Sequence, residues 1–350
     1  MILKHELLQN LLEKSVDGKK VFGVSFALAR KDRGYEGGAG NLEGNKLFFI
    51  ASTTKLFTTA LIMQLRAAGK LKLDDCIDKY LPEKYLQKLH LFKGRDFSKQ
   101  IKIIHLLGHT SGLADYFQGK QENEQSLELS IKKGVDRKWT FEDVLEINQH
   151  QHPLFEPGSK GKANYSDTNF QLLGKIIEQI TEKSYEENCK TKIINPLGLE
   201  NTYLYCNSND IRPQHLFFKS NELIIPEAMT SFGPDGGMVS TSADLLFFIQ
   251  AFFKGNLFPV EYIQGMQNWN KIFFPMQAGV GIHLFKLPWF FNPFGAVPSF
   301  IGHSGLSGAL AFYCPKSDLY IAGTVNQVAH PDLSFRLMIQ LERLSGKLFK

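Results

Sequence analysis

Cysteine is scarce in this chain. There are four in 350 residues, Cys76, Cys189, Cys206 and Cys314, far apart and with no C-x-x-C pair. That excludes a disulfide-stapled scaffold, and four free thiols suit a reducing compartment. Charge of one sign is scarce too. The 40 basic residues outnumber the 35 acidic ones by 5. Lysines are scattered, and no basic run is interleaved with stacking aromatics, so no nucleic-acid partner is expected. No apolar run is long enough to span a bilayer. From Met1 to Lys14 charges interrupt the chain every few residues, while Leu3, Leu7, Leu8, Leu11 and Leu12 recur at helical spacing. This predicts an amphipathic helix and not a signal peptide. The expected compartment is the cytoplasm, or the exterior if a leader has been removed.

Several catalytic and binding signatures are also missing. No G-x-x-x-x-G-K-[ST] or G-x-G-x-x-G occurs, which argues against a nucleotide site. No G-x-S-x-G elbow occurs, which argues against an α/β-hydrolase. His105 and His109 have zinc-helix spacing, but the glutamate of H-E-x-x-H is absent and Gly108 and Gly112 intrude,. No metal or cofactor is expected.

What is present is a globular composition, 43% hydrophobic and 21% charged, in a chain long enough to bury a sizeable core. Strand-like runs lie at Val21–Ala29, Lys46–Ala51, Val280–Leu287, Ala309–Cys314 and Leu319–Val325. The last two are close enough for an antiparallel hairpin. Helical patterning dominates from about residue 70 to 200 and is clearest after Asp167 (Phe170, Leu172, Leu173, Ile176, Ile177, Ile180),. Thr241-Ser-Ala-Asp244 reads as a capping box before an apolar helix,. A final amphipathic helix is expected near Leu333–Leu344. The fold class is therefore α+β, one sheet lobe built from both ends and a mostly helical lobe inserted between. We expect a single catalytic domain over residues 1–350, with the sheet lobe at about 1–60 and 205–350 and the helical lobe at about 61–204.

Three short segments carry chemistry. Ser52-Thr-Thr-Lys55 places a hydroxyl and an amine on one face of a predicted helix start,. A neutral amine there can take the serine proton, and the helix N-terminus favours negative charge beside Ser52. Two other S-x-x-K strings, at Ser130 and Ser159, lie in polar, lysine-rich stretches. Tyr165-Ser166-Asp167 precedes a strongly apolar helix. A tyrosine beside an ammonium can be held partly as phenolate and act as a base, although Ser166 or Asp167 could equally be an N-cap. Tyr205-Cys-Asn207 is a rival in letters only. Gly302-His303-Ser304-Gly305-Leu306-Ser307-Gly308 lies between strand runs. Its small residues admit a substrate backbone to a strand edge, and the Leu306 N–H could join that of Ser52 in an oxyanion hole. The alternative there is a glycine-rich bend in an edge strand.

Taken together and in order, these segments resemble the serine β-lactamase and DD-peptidase superfamily. Within it they look most like the branch of class C β-lactamases, D-Ala-D-Ala carboxypeptidases and family VIII esterases, with its S-x-x-K, Y-x-N and [KH]-[ST]-G motifs. Gly108-His-Thr-Ser-Gly-Leu113, Asn195-Pro-Leu-Gly-Leu199 and the run from Ser231 to Thr241 are similar to the same group. The resemblance implies an antiparallel sheet flanked by helices plus a helical lobe. It implies Ser52 as nucleophile, Lys55 and Tyr165 as proton carriers, and a substrate and oxyanion site formed by Asp167, His303, Ser304, Gly305 and Leu306.

Two residues depart from the pattern. Asp167 replaces the usual asparagine. A carboxylate near Lys55 raises its pKa and shifts the work of a base to Tyr165. His303 replaces the lysine of β-lactamases and is largely uncharged near neutral pH. Both changes argue against rapid penicillin turnover. The expectation is a serine acyl hydrolase acting on a small ester, amide or short peptide. A D-Ala-D-Ala carboxypeptidase or weak β-lactamase is the alternative, and a non-catalytic binding or self-assembling protein on the same fold is a third. The phenylalanine pairs (Phe247-Phe248, Phe252-Phe253, Phe273-Phe274, Phe290-Phe291) are read as packing,.

Overall fold

The computed structural model describes residues 2–119 and 125–349. Eight strands form one antiparallel sheet. Their spatial order is Asn270–Phe273, Met276–Ala278, His283–Phe285, Phe300–Ser304, Ala309–Cys314, Leu319–Thr324, Gly23–Arg30 and Arg33–Gly40. The sheet thus draws on both ends of the sequence. Ala309–Cys314 and Leu319–Thr324 form the expected hairpin, with Cys314 opposite Leu319.

Side-chain alternation assigns the faces. Leu310, Phe312 and Ile321 pack with Leu8 and Leu12 of the helix Ile2–Ser15 and with Leu337, Met338 and Leu341 of the helix Asp332–Leu348. Ala309, Ala311 and Ala322 point the other way, where Phe248, Ile249 and Phe252 of the helix Ser242–Phe253 cover them. Alanines on this face let a phenylalanine-rich helix lie close to the sheet. Each phenylalanine so buried contributes about 1.5–3 kcal/mol.

Beyond that helix lies Lys55–Ala67, buried from Lys55 through Met63. An element apolar on every side belongs in a core. Phe57 stacks on Phe248 with ring centroids 3.7 Å apart. Thr168–Thr181 packs beside it through Phe170, Leu173, Ile176 and Ile177. The segment between the sheet's two sequence blocks supplies most of the remaining helices, the inserted lobe of an α+β fold. A separate apolar cluster (Phe49, Tyr116, Trp139, Tyr205, Ile225, Val239) sits under its loops.

Four local expectations change. The run Lys46–Ala51 yields only the two-residue strand Phe48–Phe49, paired with Met238–Ser240 in a small second sheet. Val280–Leu287 holds only the strand His283–Phe285, because Gly281 adopts a positive φ of 74°. Only half of the capping box forms: Thr241 accepts from the Asp244 N–H, while Asp244 accepts from Asn201 and Thr202 instead. The phenylalanine pairs divide. Phe248, Phe252 and Phe253 are buried, but Phe273, Phe274, Phe290 and Phe291 are exposed, together with Trp289 and Phe294. None of the four cysteines is bonded to another. Among the described residues no helix is long and apolar enough to cross a membrane.

Candidate active site

The chain enters the site from Ile50 through Ala51, whose φ of 46° lies in the left-handed region. For a residue with a Cβ that geometry costs about 1–2 kcal/mol. A 3-10 turn, Ala51–Thr54, follows, and the α-helix begins at Lys55, three residues later than the Ser52 start expected. Ser52 is partly exposed, whereas Lys55 is completely buried. Lys55 Nζ donates to Ser52 Oγ at 3.1 Å and to the Asp235 carbonyl at 2.6 Å. It also lies 2.5 Å from Asp167 Oδ1. The Ser52 N–H, at the start of a helical turn, has no partner within that turn.

Tyr165 donates its phenolic proton to Ser52 Oγ at 2.8 Å. Its ring stacks on His109, with centroids 4.6 Å apart. His109 Nδ1 accepts from the Ser166 N–H at 3.1 Å, and Ser166 Oγ donates to the Ala114 carbonyl at 2.8 Å. The segment Gly108–Leu113 is thus the bed on which Tyr165 rests. Asp167 occupies the N-cap position of Thr168–Thr181 but makes no capping bond, its carboxylate being turned to Lys55. The capping alternative therefore does not describe this side chain.

The electrostatics follow from one buried ammonium among three buried carboxyl groups. Burial pushes Lys55 down, but its neighbours, Asp167 foremost, outweigh it, so the group stays an ammonium. Burial and then Asp167 push the Tyr165 phenol up, against the pull of Lys55. The resting site therefore holds a phenol, not the phenolate read from the sequence. Burial and Asp167 also raise Asp115, and raise Asp235 to about 8. Asp235 accepts hydrogen bonds from Tyr116 at 2.8 Å and Gln171 at 2.9 Å on the same oxygen.

The third segment completes the circle. Phe300–Ser304 is not an edge strand, since it lies between His283–Phe285 and Ala309–Cys314. Its neighbour ends at His283, opposite Gly302, so His303 and Ser304 pair only with Ala311 and Leu310. A local edge is left at the functional residues. Gly305 backs directly onto the nucleophile turn. A Cβ there would lie 2.5 Å from the Ile50 carbonyl oxygen and 3.2 Å from the Ser52 nitrogen. His303 is buried and stacks on His283, with centroids 3.9 Å apart. Burial, then neighbouring charge, pushes both imidazoles well down, His283 to about 3.

Two clefts meet at Ser52, and both are bordered by Phe117, Asp167 and Leu306. One is lined by apolar side chains including Ile131, Leu216, Ile225 and Met229. The other is lined by Tyr165, His283, His303, Ser304 and Phe273.

The structure brings together Ser52, Lys55, Tyr165, Asp167, His303, Ser304, Gly305 and Leu306. The rival segments stay apart from them. Ser130 Oγ bonds the Ser126 carbonyl within its helix, Ser159 Oγ bonds the Glu156 carbonyl, and Tyr205 bonds the Asp210 carbonyl. His105 accepts from the Lys102 N–H in a helix cap. Three neighbours were not singled out from the sequence: Asp115, Asp235 and His283. His109 was weighed only as a zinc ligand with His105, and Asp235 falls inside a segment noted only for resemblance. Asp115 and His283 carry no local signal.

The sequence matches the Beta-lactamase family model over residues 8–343. The chain belongs to the beta-lactamase family. It is 33% identical over 163 residues to a teichoic acid D-alanine hydrolase of Staphylococcus aureus, a stretch that is 46% of this chain and 33% of that protein. The match thus spans about a third of the curated relative's length. A D-stereospecific amidohydrolase from Streptomyces sp. superposes with a TM-score of 0.76 at 25% identity, covering 95% of this chain and 97% of its own. A D-amino acid amidase from Ochrobactrum anthropi SV3 superposes at 0.78, with 20% identity, over 99% and 100% of the two chains. That last likeness is one of fold. These relatives are named as hydrolases.

Proposed function

We propose that the protein hydrolyses a small ester, amide or short peptide through an acyl-enzyme on Ser52. The observation that carries this reading is the double donation to Ser52 Oγ, from Tyr165 at 2.8 Å and Lys55 at 3.1 Å. Two donors on one hydroxyl oxygen stabilise the alkoxide that attack requires.

Because Lys55 and Tyr165 both rest protonated, neither can take the serine proton without giving one up. Asp167 supplies the missing acceptor. As Ser52 Oγ attacks the carbonyl carbon, its proton passes to Lys55, and Lys55 gives one to Asp167 Oδ1, 2.5 Å away. The carbonyl electron pair moves to oxygen, where the N–H groups of Ser52 and Leu306 receive it. Collapse of the tetrahedral intermediate expels the leaving group. The leaving group takes a proton from Tyr165, which is resupplied through Lys55 from Asp167. Water then attacks the acyl-enzyme by the same steps and releases the acid.

The apolar cleft beside Ser52 fits the hydrocarbon part of an acyl group. Two of the relatives are named a teichoic acid D-alanine hydrolase and a D-stereospecific amidohydrolase. They favour a D-aminoacyl substrate among the possibilities, over penicillins. The test is intact mass spectrometry after fluorophosphonate treatment, with and without benzylpenicillin, beside Ser52→Ala. The expected result is one adduct, absent from the variant and not blocked by penicillin. Absence of an adduct on the wild type would return the protein to the class of binding proteins.

A further inference from the structure

One wall of the polar cleft consists of two stacked imidazoles with unused ring nitrogens. His303 Nδ1 lies 2.8 Å from the Ser304 carbonyl oxygen. A carbonyl only accepts, so Nδ1 carries the proton of this bond. The ring is neutral, chiefly through burial. A neutral imidazole protonated on Nδ1 has a bare lone pair on Nε2. That Nε2 is buried and has no hydrogen-bond partner among the described residues. Both nitrogens of His283 are in the same condition. His283 is neutral as well, so it offers one N–H and one lone pair,. Buried polar atoms left unpaired are costly, and three of them in the wall of a reactive cleft point to a ligand that pairs with them.

We propose that His303 Nε2 accepts a hydrogen bond from an uncharged N–H or O–H of the substrate, so that the site selects carboxamide- or hydroxyl-bearing acyl compounds over carboxylates. The proposal rests on the Ser52 reading and narrows its substrate. A primary carboxamide fits the pair, its NH2 donating to His303 and its oxygen accepting from His283. A carboxylate brings only lone pairs to a lone pair. Among the described residues it would also meet no lysine or arginine lining this cleft. The Lys55 ammonium beside Ser52 is committed to Ser52, Asp167 and Asp235. The charge that does line the cleft is the Asp167 carboxylate, which repels a second one,.

The experiment uses N-acetyl-alanyl-alanine and its C-terminal carboxamide, each in both D and L forms. Each is tested at pH 7 for protection of Ser52 against fluorophosphonate labelling and for hydrolysis. The carboxamide of the preferred stereoisomer is expected to protect at about tenfold lower concentration than the free acid. His303→Lys, which replaces the acceptor by a cation, is expected to invert that order. His303→Gln, which keeps a carbonyl acceptor, is expected to retain it. Equal or better protection by the acid in the wild type would overturn the proposal while leaving the Ser52 reading intact. So would an unchanged ratio in a His303→Lys protein that still labels. If His303→Lys does not label, loss of the carboxamide preference in His303→Gln overturns it. Failure of the wild type to label removes the Ser52 reading, and this one with it.

Discussion

Lys55 Nζ and Asp167 Oδ1 stand 2.5 Å apart, with both side chains buried. The pair replaces the ammonium–amide contact implied by an asparagine at this place, and it sets the resting charge of the nucleophile's surroundings. Asp167→Asn removes the proton acceptor and strands a buried ammonium. Breaking a buried pair by losing one partner costs about 3–5 kcal/mol. The melting temperature of Asp167→Asn is therefore expected to fall by several degrees. Its turnover at pH 7 should drop at least about tenfold and recover as the pH is raised, because an unpaired Lys55 yields a neutral amine more readily. A variant with wild-type rate at neutral pH would show that Asp167 takes no part in proton transfer.

Asp235 gives the site an alkaline limit. Its carboxyl is raised to about 8, chiefly by burial and then by Asp167. Above that pH a second carboxylate forms against Asp167, and turnover is expected to decline. Asp235→Asn keeps the shape of the protonated acid and cannot ionise, so its pH–rate profile should extend further into alkali. The linkage has a stability counterpart. Between the ordinary carboxyl pKa of 3.8 and about 8 the folded state keeps a proton that the unfolded chain releases. This group's contribution therefore falls as pH rises through that window. Urea denaturation across the window should show stability falling more steeply with pH in the wild type than in Asp235→Asn.

The stacked histidines act at the other end of the scale. His283 is pushed down to about 3 from an ordinary 6.5 by burial first and Lys55 second. In acid below 6.5 the unfolded chain takes up a proton that the fold refuses until about 3, so stability is lost as pH falls across that range,. His283→Gln is expected to melt with a shallower acid slope than the wild type. Calorimetry at several pH values would decide it, and parallel slopes would contradict the assignment.

Gly305 is needed for its lack of a side chain. Gly305→Ala would place a carbon 2.5 Å from the Ile50 carbonyl and 2.9 Å from the Ala51 Cβ. Backbone cannot yield there without moving Ser52. The expected outcome is a fall in kcat/KM on the order of 100-fold, comparable to loss of an oxyanion donor. Circular dichroism should remain close to that of the wild type. A small effect on rate would mean that the turn has room to shift.

Much of this site was legible in the sequence because its motifs are local. A hydroxyl and an amine three residues apart at a helix start announce themselves, and so does a glycine-rich run between two strands. What escaped is made of long-range partners. Asp235 acquires its raised pKa from burial and from Asp167, and its hydrogen-bond donors Tyr116 and Gln171 lie 119 and 64 residues away. His283 stands alone in a three-residue strand and gains meaning only when His303 stacks on it. The phenolate expected at Tyr165 failed for a related reason. Its proximity to Lys55 was readable, and so was a carboxylate beside Lys55, but the burial of the phenol was not. The exposed aromatic residues around Trp289 look like core in a hydropathy pattern, and only the fold shows that they lie at the surface of the described residues.

The left-handed backbone at Ala51 has a consequence for how this protein can change. The strain sits one residue before the nucleophile, on the turn that aims it. Glycine at that position would relieve the strain but would also free the turn in which Ser52 is held. Selection for heat resistance and selection for turnover thus pull in opposite directions on a single methyl group.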